Sequence, residues 1–256
     1  MKISIITCSY NAVNTIEETV KSVLSQKYTN IEYIIIDGLS NDGTGNIIKK
    51  YSDKIYKFIS EKDSGIYNAM NKGIKLSRGD IVGFLNADDV YFDESVIGKV
   101  VKTFENEKTD SVYGDLIYIS ENNKTKRYWE SGVFNINKFK KGWMPPHPAF
   151  FVKRNMYERY GGFNENYQIS ADYELMVRLL YKNKISTFYL PDILVKMKTG
   201  GVSNKVSQTL KKLKEDYEIM KEYNLGGFAG SFGAMFKKRF YKINQYLSKN
   251  LNENSK

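Results

Sequence analysis

The first ninety residues alternate between short apolar runs and segments in which apolar residues recur with helical spacing. The apolar runs cover residues 3–7, 31–37, 55–59 and 81–85. Between the first two runs, Ile16, Val20, Val23 and Leu24 fall on one face of a helix. Strands that alternate with helices in this way form a mostly parallel sheet covered by helices, because each connection must cross over to reach the next parallel strand. The sequence therefore predicts an α/β fold.

Polar side chains follow each of the four predicted strands. They occupy residues 7–11, 37–42, 61–65 and 86–89. In an open α/β sheet, ligands bind outside the carboxyl ends of the strands. Four separate strand ends that carry polar groups to one edge therefore predict a binding site there more strongly than any single motif does.

Composition restricts the chemistry of such a site. The chain has 256 residues, of which 41% are hydrophobic and 14% aromatic, so wholesale disorder is excluded. The single cysteine, Cys8, excludes an intrachain disulfide, and the single histidine, His147, excludes a multi-histidine metal site. The excess of basic over acidic residues that gives the formal charge of +10 lies in the second half of the chain. This uneven distribution argues against a uniformly basic nucleic-acid-binding protein.

The fourth predicted strand runs into the sequence Asn86-Ala87-Asp88-Asp89. Carboxylates at a strand end can bind a hard divalent cation, which can bridge a diphosphate and stabilise it as a leaving group. Neither a GxGxxG loop nor a Walker lysine–serine pair follows the first strand, which favours a metal-mediated diphosphate site. Acidic pairs are also common turn formers, and it is the other three strand ends that favour the metal site.

Asp172 opens a segment whose apolar residues predict a helix over residues 172–182. A carboxylate that points from a helix start into a cleft can act as a general base on an attacking hydroxyl. The alternative role is a helix N-cap. If Asp172 is not the base, Glu174 and His147 are the next candidates.

A proline-rich loop over residues 143–148 contains Trp143 and His147. Prolines stiffen such a loop, so the Trp143 ring would offer a stacking face and His147 would contact the acceptor, the molecule that carries the attacking hydroxyl. A packed loop with a hydrogen-bonded imidazole is an equal alternative. Lys153 and Arg154 would meet an acceptor diphosphate, although solvated surface charge is the simpler interpretation.

Several motifs occur in an order that resembles family 2 glycosyltransferases of the GT-A fold. They are Thr7-Cys8-Ser9-Tyr10-Asn11, the runs 37–44 and 61–73, Asn86-Ala87-Asp88-Asp89, and the runs 161–165 and 170–174. The resemblance is closest to the bacterial branch that adds sugars to lipid-linked precursors of O-antigen, capsule or exopolysaccharide. It implies a Rossmann-like nucleotide-binding half with a mostly parallel sheet, a mixed second half, and C-terminal helices.

The resemblance also implies a reaction: inverting transfer of a sugar from a nucleotide-diphospho-sugar, with a UDP-sugar expected, and Mg²⁺ or Mn²⁺ as cofactor. By position, the nucleotide-sugar site would comprise Thr7, Ser9, Asn11, Asp37, Asp63, Asn86, Ala87 and Asp88. Asp88 would hold the metal with support from Asp89. Asp172 would be the general base.

Two positions depart from the family pattern. Many members have a second aspartate where this chain has Gly38, which leaves recognition of the base to Asp37 or to other residues. Many members also have aspartate at the position of Asn86. An amide accepts hydrogen bonds but carries no charge, so metal binding shifts to Asp88.

We expect residues 1–204 to form the catalytic domain, with residues 1–90 as its nucleotide-sugar half and 91–204 as its acceptor half. Residues 205–256 would form basic amphipathic helices. Over residues 228–247, apolar and aromatic side chains recur on one helical stripe beside Lys237, Lys238 and Arg239. Such a stripe lies on an anionic membrane surface or packs on the catalytic domain.

The sequence contains no apolar run of about 18 residues, so we expect no transmembrane helix. Its first residues resemble a strand more than a signal peptide. These features predict a protein that is cytoplasmic or on the cytosolic side of a membrane. The resemblance implies a polyprenyl-diphosphate-linked saccharide as acceptor, which would place the protein peripherally on the inner face of the cell membrane, and we expect no nucleic acid as partner.

Two other classes of protein remain open at this point. A nucleotidyltransferase would need a Gly-rich, basic loop after the first strand, and this chain has Ser9-Tyr10-Asn11 there. A non-catalytic, basic nucleic-acid-binding module would account for the charged C-terminal region but would leave the four polar strand ends unexplained.

Overall fold

The described residues contain one mixed sheet of nine strands. The structure is a computed structural model and describes residues 1–120, 122, 124–198 and 206–225. The strands are β1 (Ile3–Ser9), β2 (Ile31–Asp37), β3 (Lys57–Ser60), β4 (Ile81–Phe84), β5 (Asp89–Tyr91), β6 (Ser111–Ile119), β7 (Thr125–Trp129), β8 (Phe150–Lys153) and β9 (Thr187–Lys198). The helices are α1 (Ile16–Leu24), α2 (Thr44–Lys49), α3 (Ile66–Leu76), α4 (Val96–Glu107), α5 (Arg154–Tyr160), α6 (Ala171–Met176) and α7 (Val206–Glu222).

The first half of the sheet is parallel, in the order β3-β2-β1-β4. The apolar runs of β1 and β2 are buried on both faces, as helix-covered parallel strands require. The strand register places Ser9 opposite Asp37 and Asp37 opposite Ser60. The predicted polar edge therefore exists, at the carboxyl ends of these strands, and the predicted α/β fold class is confirmed.

The second half of the sheet is mixed. Strand β8 pairs antiparallel with β4 and continues the sheet through β6 and β9 to β5. Strand β9 is a single strand, although Pro191 suggests two shorter ones. The β6–β9 register shifts on both sides of Asp115, and Pro191 lies in this irregular stretch, where a residue without an amide hydrogen is tolerated.

Hydrophobic cores lie on the two faces of the sheet. One contains α1 and α4, with Ile16, Val20 and Val100 completely buried. The other contains α3, α6 and α7. The predicted helix after Asp172 is α6 followed by a π-helical segment, Val177–Lys182.

Helix α7 belongs to the second core, because its Ile219 and Met220 are completely buried there. The expected boundary between residues 204 and 205 therefore does not separate α7 from the catalytic part. The basic aromatic stripe over residues 228–247 lies outside the described residues. Within residues 1–120, 122, 124–198 and 206–225, no helix is long and apolar enough to span a bilayer.

Candidate active site

Asp37, at the carboxyl end of β2, ties three strands together. Its Oδ1 accepts hydrogen bonds from the hydroxyls of Ser9 at 2.9 Å and Ser40 at 2.5 Å. Its Oδ2 accepts from the Ser60 hydroxyl at 2.7 Å and the Ser40 amide at 2.9 Å. The side chain is completely buried, and four donors occupy its lone pairs. Asp37 therefore stabilises the sheet edge and does not face the open side, where the family resemblance placed it near a base.

Two other residues expected in the nucleotide site also face inward. Thr7 is completely buried, and its hydroxyl lies 3.1 Å from the Tyr33 hydroxyl. Ser9 is buried and is engaged by Asp37. Asn11 is exposed, and its left-handed backbone (φ 48°) turns the chain at the edge. Of these three side chains, only that of Asn11 lies at the surface.

Asn11 also joins the loops that follow β1 and β2. Its backbone amide donates to the Ser40 hydroxyl at 2.8 Å, and its side-chain Oδ1 accepts from the backbone amide of Asn41 at 3.1 Å. The two loops therefore form one rigid rim at the carboxyl edge.

Tyr10 was not predicted as a site residue, yet it is 68% exposed at this rim. A Cβ atom added at Gly38 would lie 3.3 Å from the Tyr10 ring and 3.4 Å from Oδ2 of Asp63. The glycine that departs from the family pattern thus leaves room for both groups. Leu39, 59% exposed with φ 60°, continues the same apolar rim.

Asp63 is held in place by Lys72 of α3. The Lys72 ammonium lies 2.5 Å from Oδ1 of Asp63 and 2.6 Å from Oε1 of Glu61. This ion pair fixes the Asp63 carboxylate beside Tyr10. The rim therefore combines an exposed aromatic ring with a positioned carboxylate, a combination that suits a nucleobase.

The acidic sequence after β4 forms a tight turn. The Asp89 amide donates to the Asn86 carbonyl at 3.0 Å, and Nδ2 of Asn86 donates to Oδ2 of Asp89 at 2.9 Å. Thr19 of α1 donates to the Asp89 carbonyl at 2.8 Å. Ala87 and Asp89 are buried, whereas Asp88 is half-buried. Asp88 is thus the carboxylate of this turn that a ligand can reach.

The electrostatics of this turn favour a bound cation. Burial raises the pKa of Asp88, and burial together with the charge of Asp88 raises the pKa of Asp89 well above its ordinary value. Oδ1 of Asp89 is buried and has no hydrogen-bond partner within the described part of the chain. A cation would satisfy this oxygen and would favour both carboxylates in their charged form.

The metal ligands available from the protein are few. Among the described residues, no group of three or more His, Cys, Asp or Glu side chains is arranged to hold a metal. A cation at Asp88 and Asp89 would therefore take its remaining ligands from a diphosphate and water, as Mg²⁺ commonly does.

Lys198 was also missed by sequence reasoning. The antiparallel pairing of Asp89 with Met197 brings it beside Asp88, where its charge opposes the upward shift of the Asp88 pKa. It also pairs with Glu18 at 2.5 Å. Nothing in the local sequence around Lys198 indicates this proximity, since it depends on strands that lie more than a hundred residues apart.

Asp172 is the second residue of α6 and is half-buried. The Tyr67 hydroxyl of α3 lies 2.7 Å from the Ile169 carbonyl and 3.4 Å from Oδ1 of Asp172. The N-cap position belongs to Ser170. Asp172 therefore does not serve as the cap, and Tyr67 connects it to the helix that follows Asp63.

Glu174 is occupied by a structural ion pair. Arg178 donates to both of its carboxylate oxygens, at 2.9 and 3.0 Å, and the Tyr223 hydroxyl of α7 also donates to it. The side chain is 2% exposed. These contacts leave Glu174 unavailable as the alternative base.

His147 is close to the same region. Its ring packs 5.5 Å from the rings of Phe84 and Phe163, and burial lowers its pKa although the charge of Asp172 opposes this. Neither ring nitrogen has a hydrogen-bond partner within the described residues. His147 is thus a neutral imidazole beside the candidate base, rather than the hydrogen-bonded imidazole of a simple packed loop.

Trp143 does not present a face for sugar stacking. It is 4% exposed, its indole N–H donates to the Ser131 carbonyl at 3.2 Å, and it packs edge-on against Tyr113 and Phe139. The expectation of an acceptor-binding tryptophan is wrong, because the residue completes a buried aromatic cluster.

We expect Trp143→Ala to lower the free energy of unfolding by roughly 3–5 kcal/mol, because it removes a large buried side chain and leaves a cavity. Urea denaturation measures this change. A variant with unchanged stability but weakened acceptor binding would contradict the core placement.

Lys153 and Arg154 lie away from the site. Lys153 pairs with Ile81 at the amino end of β4, and its ammonium lies 3.5 Å from Asp110. Arg154 donates to the Gly79 carbonyl at 3.1 Å and pairs with Glu158. Both residues are at the edge of the sheet opposite to the candidate site, which favours their interpretation as structural surface charges.

Comparison with known proteins identifies the family of the chain. Residues 4–164 match the family described as Glycosyl transferase family 2. The chain belongs to this family and is a glycosyltransferase, which decides against a nucleotidyltransferase or a non-catalytic binding module.

Two mycobacterial relatives align over most of the chain. A PGL/p-HBAD biosynthesis glycosyltransferase of Mycobacterium bovis is 28% identical over 82% of this chain and 83% of its own length. An uncharacterized glycosyltransferase of Mycobacterium tuberculosis is 26% identical over 97% of this chain and 95% of its own.

Solved structures show the same fold. S. aureus TarS 1-349 in complex with UDP superposes with a TM-score of 0.69 and 17% identity, over 87% of this chain and 64% of that chain. The chain spans 39% of the longer TarS structure. The mannosyltransferase PcManGT from Pyrobaculum calidifontis, in complex with GDP-Man and Mn²⁺, has a TM-score of 0.65 and 16% identity, over 93% and 68% of the two chains. The expected GT-A fold is confirmed.

Proposed function

We propose that this glycosyltransferase moves a sugar, with inversion, from a nucleotide-diphospho-sugar onto a hydroxyl of a lipid-linked saccharide. The observation that carries the proposal is the contrast between Asp172 and Glu174. Glu174 is buried in a bidentate pair with Arg178, whereas the Asp172 carboxylate forms no ion pair with any described residue and is half-buried. An inverting reaction needs such a carboxylate on the acceptor side.

The donor would lie along the carboxyl edge of the parallel strands. Tyr10, Asn11 and Asp63 offer a ring, an amide and a carboxylate at the rim, and these groups suit a nucleobase and ribose. We propose a UDP-sugar, because structural neighbours were solved in complex with UDP and UDP-GlcNAc. Because the side chains of Thr7 and Ser9 point inward, only the backbone groups of these two residues would contact the donor.

The diphosphate would lie at the acidic turn, where Asp88 and the orphaned oxygen of Asp89 fit Mg²⁺ or Mn²⁺. A neighbour solved with GDP-Man and Mn²⁺ supports this choice of metal. When bound, the cation would offset negative charge on the departing nucleoside diphosphate. Lys198, beside Asp88, would add a second positive charge near the same phosphates.

Asp172 would take the proton from the acceptor hydroxyl as that oxygen attacks the anomeric carbon. Tyr67 would orient this carboxylate through its contact with Oδ1 of Asp172. His147, buried beside Asp172 with both ring nitrogens unpartnered among the described residues, would line the acceptor side of the site.

The proposal for the acceptor rests on the sequence of a segment that lies outside the described residues. The basic aromatic stripe over residues 228–247 suits an anionic membrane surface on the cytoplasmic side. A polyprenyl-diphosphate-linked saccharide of a bacterial cell-surface polysaccharide would be presented there.

A screen of nucleotide-sugars tests the proposed function. The full chain is incubated with UDP-, GDP- and dTDP-sugars, with Mn²⁺ or with EDTA, while nucleoside diphosphate release and the midpoint of thermal unfolding are measured. We expect one or a few UDP-sugars to stabilise the protein and to be hydrolysed slowly, only with the metal. If no nucleotide-sugar binds in the presence of Mn²⁺, the proposal is wrong.

A further inference from the structure

The segment that leads into Asp172 is held by a residue of the C-terminal helix. Glu215 of α7 accepts hydrogen bonds from three successive backbone amides: Gln168 at 3.1 Å, Ile169 at 2.9 Å and Ser170 at 2.9 Å. The Glu215 side chain is 6% exposed. Hydrogen bonds from amides to a buried carboxylate are charge-assisted and stronger than neutral ones.

The segment needs this support because α6 lacks a cap of its own. The Ser170 side chain, at the N-cap position, makes no capping hydrogen bond. Its hydroxyl oxygen is buried without a hydrogen-bond partner among the described residues. Asp172 lies two residues further on. The orientation of the first turn of α6 therefore depends on contacts from other helices.

Helices α3 and α7 provide these contacts from two sides. Tyr67 of α3 lies 2.7 Å from the Ile169 carbonyl, while Glu215 binds the Ile169 amide. The same peptide segment is therefore fixed at both its carbonyl and amide groups. Helix α7 is itself anchored, because Ile219 and Met220 are completely buried in the core.

We infer that Glu215 is a positioning residue for the reaction: it holds the Gln168–Ser170 segment so that Asp172 faces the acceptor hydroxyl. The inference rests on the proposed role of Asp172 as the base. It assigns part of the active site to a helix that lies beyond the matched family region, residues 4–164.

The variants Glu215→Gln and Glu215→Ala test this role in the full chain. Glutamine can keep the bonds to Ile169 and Ser170 but presents an amide group to the third donor, whereas alanine removes all three acceptors. We expect kcat for transfer to fall by roughly 10-fold in the glutamine variant and roughly 100-fold in the alanine variant, since misplacement by about 1 Å can cost this much. The Kd for the donor that the wild-type protein uses should stay unchanged, because the donor edge is formed by other elements.

Glu218→Gln is the matched control. Glu218 lies one turn further along α7 and pairs only loosely with Lys214, at 3.8 Å, so its variant should keep the wild-type kcat. Hydrogen exchange should be faster at the Gln168 amide in Glu215→Gln and at all three amides in Glu215→Ala, but unchanged in Glu218→Gln. If Glu215→Ala does not fold, the glutamine variant alone decides.

Two results would overturn the inference. One is a wild-type kcat in Glu215→Gln despite faster amide exchange, and the other is a parallel loss of donor affinity and kcat, which would indicate a general structural role. Both leave the proposed function intact. If the wild-type protein transfers no sugar at all, the proposed function fails and the positioning role fails with it.

Discussion

Asp172→Asn is expected to lower the rate of sugar transfer at least ~10²-fold, within the range attributed to general bases. Asparagine keeps the size of the side chain and its contact with the Tyr67 hydroxyl, but it cannot accept a proton. Donor and metal binding should therefore be unchanged. Single-turnover assays with acceptor, together with calorimetric titration of the donor, measure these two quantities separately.

The controls for this variant follow from the neighbours of Asp172. Glu174→Gln breaks the bidentate pair with Arg178. We therefore expect this variant to be inactive because it is destabilised, unlike Asp172→Asn, which should remain stable. Near-normal transfer by Asp172→Asn would instead move the base to another group.

In that case His147 is the next candidate for the base. A His147 variant distinguishes it from Asp172 better than a pH profile of the rate does. Burial lowers the pKa of His147 below its ordinary value of about 6.5. A rate that depends on this imidazole would therefore already be flat near neutral pH, as it would be for a carboxylate. His147→Gln separates the two candidates, because loss of the chemical step with intact donor binding would identify the imidazole as the base.

Asp88→Ala is expected to abolish metal-dependent donor binding and, with it, turnover. The half-buried Asp88 is the accessible carboxylate of the acidic turn, and its removal leaves only Asp89, which is buried and bound to Asn86. Titration of Mn²⁺ and donor into the purified variant measures the loss.

Asp53→Ala serves as the matched control, since Asp53 is an exposed carboxylate in the turn between α2 and β3. It should bind donor and metal as the wild-type protein does. Full activity of Asp88→Ala in the presence of EDTA would remove the metal from the proposed reaction.

Much of the fold was predictable because it depends on local patterns. Hydrophobic runs and helical spacing over residues 1–90 indicate strands and helices whose order leaves little choice of topology. The later part was less predictable, since strands β6, β8 and β9 pair across long stretches of chain. Pro191 breaks the local pattern of β9 but lies in an irregular stretch of its ladder, and only the register with β6 reveals this.

The candidate site was predicted unevenly for the same reason. The sequence indicates which residues lie at the strand ends, but not which way they face. Asp37 and Thr7 turn inward because Ser9, Ser60 and Tyr33 supply partners from other strands. Trp143 could not be distinguished from an exposed stacking residue, since burial depends on neighbours distant in sequence.

Glu215 carried no local pattern at all. Its three amide partners lie more than forty residues earlier in the chain, and an acidic residue on a charged helix is ordinarily a solvated one. Such positioning contacts become visible only when the tertiary structure brings the helix against the loop.

The antiparallel ladder between β4 and β8 has a mechanical consequence. The parallel strands that carry the proposed donor edge are continuous with the mixed half of the sheet, and a Cβ atom at Gly83 would lie only 2.5 Å from the Phe151 ring across this junction. Enzymes that close by hinge bending need a boundary where few contacts cross, and here a hinge would have to break backbone hydrogen bonds and separate tightly packed atoms. The two halves of the sheet therefore keep a fixed separation, and any gating during turnover is left to loops and side chains.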